Sequence, residues 1–155
     1  MDPDFAKRIE SLEPKLQALV RMKPVTYTTL PRTMPACGIY LFSEGIEHLY
    51  IGRTNRMRQR LRGHCVMSAN HYSATFAFRI ARRTTGRTQA SYTKAGSRPE
   101  LLNDAAFGLA FRDAKCRIAL MDLRYVEELD STCQALLEIY TATVLKTRYN
   151  DFENH

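Results

Sequence analysis

Two short strand-like segments, each with one tyrosine, constrain the fold of this chain more than any other feature. They are centred on Gly38-Ile39-Tyr40 and Tyr50-Ile51-Gly52. β-branched and aromatic residues favour strands, and a glycine between two such segments favours a tight turn. Gly45 lies between them. The pattern therefore predicts an antiparallel hairpin with strands over residues 38–43 and 48–53.

The two tyrosines alternate with aliphatic residues along these strands. Successive side chains of a strand point to opposite faces of the sheet. If the hairpin loop has an odd number of residues, Tyr40 and Tyr50 lie on one face. The other face then carries the aliphatic residues and is the natural core side: Ile39, Leu41, Leu49 and Ile51.

Outside the hairpin, the first half of the chain is predicted to form one helix before the hairpin and one after it, with a connector between the first helix and the hairpin. Apolar residues at helical spacing predict a helix over about 4–20, which Pro14 kinks or splits. The connector that follows contains a candidate edge strand at 25–30. A short basic helix is predicted over 55–64, with Thr54 or Asn55 as its cap.

The second half predicts more helices and one further strand. Residues 73–83 favour a helix, and 84–98 form a polar basic loop that is the best candidate for contact with a target. A helix is predicted from Pro99 to about residue 113, and strand character extends over 115–126. Asp130-Ser131 is predicted to cap the last helix, with Ser131 at capping-box spacing to Gln134, and this helix ends near residue 147.

This order of elements predicts one α+β domain over residues 1–155. Its expected architecture is a small, mainly antiparallel three-stranded sheet flanked by helices. The length suits one sizeable core. The helical and basic-loop region at about 66–114 is interpreted as an insertion, and the helix at about 4–20 as an N-terminal addition.

Positive charge is concentrated in one third of the sequence. The net charge is +7, yet residues 53–98 contain eleven Lys and Arg residues and no Asp or Glu. Because these eleven charges exceed the net charge by four, the remainder sums to −4. Such polarity is typical of a protein that binds a polyanion. The residues predicted to contact nucleic acid are Arg53, Arg56, Arg58, Arg62, Arg82, Arg83, Arg87, Lys94 and Arg98.

Cysteine usage and hydropathy point to the cytoplasm. The four cysteines are scattered without a C-x-x-C pair, which favours reduced thiols over a zinc site or a disulfide framework. No apolar run approaches the roughly 20 residues that a membrane span needs. The acidic N-terminus lacks the apolar core of a secretory signal. We therefore expect a cytoplasmic protein with no membrane contact.

A fifteen-residue stretch carries a specific family resemblance. Residues 50–64 follow the pattern Y-I-G-x-T-N-x-L-x-x-R-L-x-x-H, with Met57 in place of the leucine. With Gly38-Ile39-Tyr40, this stretch makes the chain resemble the GIY-YIG nuclease family over residues 38–150. Glu138 matches the family's metal-binding glutamate and Asn150 its terminal asparagine. The spacing from His64 to Glu138 exceeds that of minimal members, which explains the insertion.

The resemblance implies a metal-dependent endonuclease that hydrolyses phosphodiester bonds in DNA. It implies that Glu138 binds a single Mg²⁺ or Mn²⁺, that Tyr40 is the general base and that Tyr50 orients a reacting group. Arg60 would supply positive charge to the phosphoryl oxygens. His64 would hydrogen-bond a tyrosine or a phosphate, and Asn150 would hold Glu138 or the helix end.

The general base is the demanding part of this interpretation. A free tyrosine has a pKa of about 10, well above neutral pH. Burial raises that pKa further, whereas neighbouring cations lower it. Arg60, Arg53 and the metal are the candidate cations.

Two other functions stay open at this stage. The chain could be a nucleic-acid-binding module on the same fold without catalysis, or a scaffold whose basic face meets an acidic protein. Phosphate contacts predict a steep loss of affinity with salt, which the scaffold does not. The sequence leaves RNA open as a partner. Because one active site cuts one strand at a time, duplex cleavage requires a dimer or rebinding.

Overall fold

The computed structural model describes residues 1–88 and 93–152. They form two compact units: Met1–Arg60 with Met121–Asn150, and Leu61–Leu120 with the described residues 151–152. Residues 89–92 of the predicted target-contact loop at 84–98 lie outside the described part of the chain. In chain order the helices are α1 Pro3–Glu10, α2 Leu12–Arg21, α3 Met57–Cys65, α4 Thr75–Thr84, α5 Arg98–Asn103, α6 Ala105–Ala119 and α7 Ser131–Leu145.

The first unit contains a three-stranded antiparallel sheet. Strands β1 (Gly38–Glu44) and β2 (Glu47–Thr54) form the predicted hairpin, and β3 (Asp122–Glu127) pairs with the other edge of β1. The order is β2-β1-β3, so β2 is an edge strand. The predicted α+β architecture, a small antiparallel sheet flanked by helices, is confirmed.

The aliphatic face of the hairpin forms the core of this unit. Helix α7 packs on β1 and β2, and α2 packs on α7 and β3. Their buried side chains form one cluster: Leu12, Leu19, Ile39, Leu41, Ile51, Leu137 and Ala142. Three of the four aliphatic residues predicted for this face belong to it. Leu49, which lies opposite the register shift between Phe42 and Ser43, is buried outside this cluster.

The N-terminal helical segment is split, as Pro14 indicated. Helix α1 ends at Glu10 and α2 begins at Leu12, with Ser11 between them. Proline lacks the N–H that would bond to the carbonyl four residues earlier, so a continuous helix is interrupted before Pro14. Asp2 caps α1 by accepting a hydrogen bond from the Phe5 backbone N–H at 2.9 Å.

The edge strand predicted at 25–30 is wrong. Only Val25 makes a bridge, to Leu123, and Tyr27–Thr29 form a 3₁₀ turn. The Thr29 hydroxyl accepts a hydrogen bond from the Thr26 N–H at 2.9 Å. Threonine hydroxyls that bond nearby backbone groups compete with strand pairing, and here the local turn wins.

The strand character predicted over 115–126 is wrong for its first part. Helix α6 continues to Ala119, and β3 starts only at Asp122. The buried residues of α6 recur at helical spacing through this segment, and they include Phe107, Phe111, Ala114 and Ile118. The alternation of Ile118 and Leu120 was therefore the tail of a helical pattern.

Aspartate side chains fix the starts of two later helices. The helix predicted from Pro99 to about residue 113 is interrupted at Asp104, which caps α6 by accepting from the Phe107 N–H at 2.9 Å. Of the predicted Asp130-Ser131 cap, Asp130 is the residue that caps α7, by accepting from the Cys133 N–H at 2.8 Å. Aspartate is at least as good an N-cap as serine, so in each case the carboxylate sets where the helix begins.

The second unit is helical. Helix α4, which confirms the helix predicted over 73–83, packs on α6 through Phe78, Phe107 and Phe111. The buried Lys115 of α6 donates hydrogen bonds to the carbonyls of Met67 and Ala69 at 2.6 and 3.0 Å. Among the described residues, no helix has the length and apolar character needed to cross a membrane.

Gly38 at the start of β1 has no tolerance for a side chain. Its φ is +148°, and a Cβ placed there would lie 2.0 Å from the Val126 carbonyl oxygen. We expect Gly38→Ala to lower the free energy of unfolding by about 3 kcal/mol, from backbone strain plus displacement of β3. Chemical denaturation measures this loss.

The matched control is Gly45→Ala in the hairpin turn. Gly45 also has a positive φ, +56°, but a Cβ at this position would face open space, with no atom beyond its chain neighbours within 4 Å. Only the conformational cost remains, about 1 kcal/mol. Equal losses in the two variants would contradict the steric explanation for Gly38.

Candidate active site

The two motif tyrosines lie on the same face of the hairpin. Tyr40 pairs with Gly52 and Phe42 pairs with Tyr50, so Tyr40 and Tyr50 are diagonal neighbours. Their ring centroids are 6.4 Å apart. Both are buried, with exposed fractions of 1% for Tyr40 and 7% for Tyr50. The predicted side-by-side placement of the phenols is confirmed.

Gly52 makes room for the Tyr40 ring. A Cβ at position 52 would lie 2.3 Å from the Tyr40 hydroxyl oxygen and 2.5 Å from the ring carbon that carries it. The hydroxyl therefore lies directly over the backbone of β2. Any side chain at position 52 would push this hydroxyl away from its present partner.

That partner is Arg60, on the helix that follows β2. The start of α3 is fixed by a hydrogen bond from Met57 N–H to the Ala36 carbonyl at 2.8 Å and by one from Arg56 N–H to the Thr54 hydroxyl at 2.9 Å. One turn into the helix, the Arg60 Nε donates to the Tyr40 hydroxyl oxygen at 3.1 Å. Arg60 also hydrogen-bonds Tyr50.

For both Tyr40 and Arg60, burial and the interactions between the guanidinium and the phenols shift the pKa in opposite directions. Burial, and then the charge of Tyr50, raise the pKa of Tyr40, whereas the charge and hydrogen bond of Arg60 lower it, and the net shift is upward. Burial lowers the pKa of Arg60, but its interactions with Tyr40 and Tyr50 raise it, and here too the net shift is upward. At neutral pH the site therefore holds a neutral Tyr40 phenol facing a charged guanidinium.

Glu138, on α7, lies close enough to contribute to this balance. Its charge is among the causes that raise the pKa of Tyr40. The carboxylate oxygen Oε2 accepts a hydrogen bond from the Arg53 Nε at 3.0 Å. Arg53, predicted to contact phosphate, thus forms an ion pair with the predicted metal ligand. Tyr40, Tyr50, Arg60 and Glu138 come together in the first unit.

Asn150 has a different partner from the one predicted. Its side-chain oxygen accepts from the Ile51 N–H, and its side-chain NH₂ donates to the Ile51 carbonyl, both at 2.8 Å. The Tyr149 N–H donates to the Leu49 carbonyl at 2.9 Å. Asn150 therefore replaces a neighbouring strand at the edge of β2 and fixes the strand that carries Tyr50, instead of holding Glu138 or the end of α7.

Gln134 is a supporting residue that the sequence analysis did not identify as part of the site. It is buried, and its side-chain NH₂ donates to the Asn55 side-chain oxygen and to the Glu128 carbonyl, both at 2.8 Å. Asn55 lies in the turn between β2 and α3, so Gln134 ties that turn to α7. The signal available in the sequence was its spacing of four from Glu138, which places both on one side of a helix.

His64 belongs to the second unit and is fully buried. Its ring lies against Phe76 with centroids 6.4 Å apart. The role implied for His64, a hydrogen bond to a tyrosine or a phosphate, stays a prediction.

The predicted nucleic-acid contacts are divided between the units. Arg53, Arg56 and Arg58 belong to the first unit, and the second contains Arg62, Arg82, Arg83, Arg87, Lys94 and Arg98. All are exposed except Arg82, which is half-buried.

Several of these side chains already have partners within the protein. Arg58 donates to the Pro31 and Arg32 carbonyls, and Arg87 pairs with Asp104 at 3.0 Å. Arg82 and Arg98 lie over the Phe78 ring, with guanidinium carbons 5.1 and 5.0 Å from its centroid.

Glu138 is the residue of this group that suits a divalent metal. The described residues include no cluster of three or more His, Cys, Asp or Glu side chains that could enclose an ion. Mg²⁺ is commonly held by one or two carboxylates together with waters and substrate phosphates. A single carboxylate whose side chain is 21% exposed, beside phenols and a guanidinium, fits that mode of binding.

Comparison of the chain with protein-family models, with curated proteins and with solved structures finds no significant match.

Proposed function

We propose that this chain is a metal-dependent endonuclease that hydrolyses phosphodiester bonds in DNA in the cytoplasm. The observation that carries the proposal is the hydrogen bond from Arg60 to the buried Tyr40 over Gly52, beside Tyr50 and within electrostatic reach of Glu138. A buried phenol pair that faces a half-buried guanidinium is more than a sheet needs for stability. It matches what attack on a phosphate requires.

Each residue of the group has a chemical task in this proposal. The planar Arg60 guanidinium binds the phosphoryl oxygens and stabilises the charge that builds on them. In this role Tyr40 first releases its own proton to solvent and then, as a phenolate, accepts the proton of the attacking water; Arg60 favours the release because its charge and hydrogen bond oppose the rise in the pKa of Tyr40. Tyr50 orients the phosphate or the water through its hydroxyl.

Glu138 would bind the divalent ion, Mg²⁺ or Mn²⁺. When bound, such an ion polarises a phosphoryl oxygen and assists the departing oxygen. Asn150 and Gln134 hold β2 and the β2–α3 turn, so that Tyr50 and Arg60 keep their positions.

The exposed arginines supply affinity for the substrate backbone. Each phosphate that they neutralise releases a counterion, so the affinity is expected to fall steeply with salt. Arg56, Arg62, Arg83 and Lys94 are exposed and suited to this task. DNA is the proposed partner, and RNA is included as a competitor in the test.

One observation favours a second candidate, a nucleic-acid-binding module without catalysis. In the structure the pKa of Tyr40 is raised, chiefly by burial, and Arg53 neutralises Glu138. A protein that only binds nucleic acid would need neither to deprotonate Tyr40 nor to open the Arg53–Glu138 ion pair. The two candidates predict the same salt-dependent binding and differ in cleavage alone.

The deciding experiment incubates the purified protein with supercoiled plasmid, linear duplex, single-stranded DNA and RNA, with Mg²⁺, with Mn²⁺ and with EDTA. We expect metal-dependent cleavage of DNA that EDTA abolishes. If all four substrates stay intact although the protein binds them, the binding module is the correct function. Binding that does not weaken with salt would reject both candidates.

A further inference from the structure

The Arg53–Glu138 ion pair joins two residues whose proposed ligands have opposite charge. Arg53 Nε lies 3.0 Å from Glu138 Oε2, and the exposed side-chain fractions are 48% for Arg53 and 21% for Glu138. The guanidinium is thus the accessible member of the pair. The carboxylate is the more buried member.

A cation cannot approach this carboxylate without an electrostatic cost while Arg53 is in place. The guanidinium repels a divalent ion and occupies a lone pair of the oxygen that would coordinate it. At the same time, Glu138, the partner of Arg53, lies within electrostatic reach of Tyr40, the partner of Arg60. A phosphate bound between Arg60 and Glu138 would therefore also meet the long Arg53 side chain.

The exchange of partners is energetically easy. Ion pairs between partly exposed side chains contribute little to stability, so the pair opens readily. A phosphate offers Arg53 a stronger partner, because a guanidinium can donate two parallel hydrogen bonds to its oxygens. Once Arg53 has moved, its guanidinium no longer repels a metal ion from the Glu138 carboxylate.

We infer that Arg53 is a positioning residue that couples phosphate binding to metal binding by releasing Glu138. This inference rests on the proposed function. In the free protein Arg53 holds Glu138 and weakens its affinity for the ion. When substrate phosphate takes Arg53, the site gains affinity for metal, so the ion is held tightly only with DNA present.

Mn²⁺ binding to the free protein, followed by electron paramagnetic resonance, tests the coupling without catalysis. We expect Arg53→Ala to bind Mn²⁺ about threefold more tightly than the wild type, the change expected from removing a partly exposed ion pair. Glu138→Gln identifies the site, because it should abolish both this binding and the gain in Arg53→Ala. The matched control is Arg56→Ala, which removes an equal exposed charge three residues away and should leave Mn²⁺ affinity nearly unchanged.

A second measurement uses a Tyr40→Phe background with a short DNA duplex. The duplex should raise the Mn²⁺ affinity of the Tyr40→Phe variant about threefold more than that of the Tyr40→Phe/Arg53→Ala double variant. The reason is that only the single variant retains the Arg53–Glu138 ion pair that the duplex can open. Thermal unfolding of both proteins checks that they are equally folded.

Three results would overturn the coupling. They are equal Mn²⁺ affinity in wild type and Arg53→Ala, an equal gain in Arg56→Ala, and Mn²⁺ binding that is unaffected by Glu138→Gln. The first two leave the proposed nuclease intact if the wild type cuts DNA. The third removes the proposed metal site as well, and failure of the wild type to cut any substrate is a separate result.

Discussion

Glu138→Gln is expected to reduce DNA cleavage by about 10³-fold or more while leaving DNA binding mostly intact. A bound divalent ion supplies several kcal/mol of transition-state stabilisation, and each 1.36 kcal/mol corresponds to about a tenfold change in rate. Glutamine keeps the shape of the side chain and removes the charge that a metal needs. Single-turnover cleavage at saturating protein, together with equilibrium binding of uncut DNA, measures the two effects separately.

Glu47→Gln provides the matched control for this variant. Glu47 also forms an ion pair with an arginine, Arg148, at 3.9 Å. It lies at the start of β2, away from Gly52 and the Tyr40 hydroxyl above it. Cleavage in this variant should stay near the wild-type rate. A comparable loss in both variants would mean that general charge balance, and not a metal ligand, is what Glu138 provides.

Arg60→Leu is expected to reduce single-turnover cleavage by about 10²–10³-fold, the usual effect of removing one preorganised group that stabilises charge in the transition state. Leucine preserves part of the packing of the half-buried side chain. It removes both the hydrogen bond to Tyr40 and the positive charge beside the phenols. Arg56→Leu, which removes an exposed charge one turn earlier, should weaken binding and lower the salt dependence without changing the cleavage step.

The pH profile of the Arg60 variant tests the role of Tyr40. Burial raises the pKa of Tyr40, and Arg60 opposes that shift. Removing Arg60 therefore raises the pKa of Tyr40 further. Because a general base acts in its deprotonated form, the rising limb of the pH–rate profile should move to higher pH. Arg60→Lys, which keeps a cation, should move it less. A profile that falls in amplitude but keeps its pH dependence would remove Tyr40 from the role of base.

The hairpin and its two faces were predictable from sequence because their causes are local. Alternation along each strand fixes which side chains share a face, and Gly45 marks the turn. The predicted condition, a loop with an odd number of residues, is wrong, because the turn between Glu44 and Glu47 has two. Tyr40 and Tyr50 share a face because the register shifts between Phe42 and Ser43. The break between α1 and α2 was predictable for the same reason, since Pro14 acts on its own helix.

The two wrong strand predictions, at 25–30 and in the first part of 115–126, lie where a local hydrogen-bonded turn or the end of a long helix determines the secondary structure. Thr26 and Thr29 have strand propensity, yet their hydroxyls form a turn. Ile118 alternates with Leu120 as in a strand, but it completes the buried face of α6.

The hydrogen bonds between Arg53 and Glu138 and between Ile51 and Asn150 could not be predicted from the sequence, for a different reason. Arg53 and Glu138 are 85 residues apart, and Ile51 and Asn150 are 99 apart. No spacing rule relates residues at such separations, so only the packing of α7 on the sheet reveals that they meet. The sequence pointed to Glu138 and Asn150 through the resemblance, but it gave no sign of their partners Arg53 and Ile51.

The two hydrogen bonds between the Asn150 side chain and the Ile51 backbone also limit how copies of this protein can assemble. An open sheet edge is a template for strand addition by another chain. On β2, the backbone groups of Leu49 and Ile51 that a second copy would need are already occupied by Tyr149 and Asn150. As long as these contacts persist, they oppose sheet extension across this part of β2. If two copies of the proposed nuclease cut opposite strands of a duplex, they would have to associate through another surface.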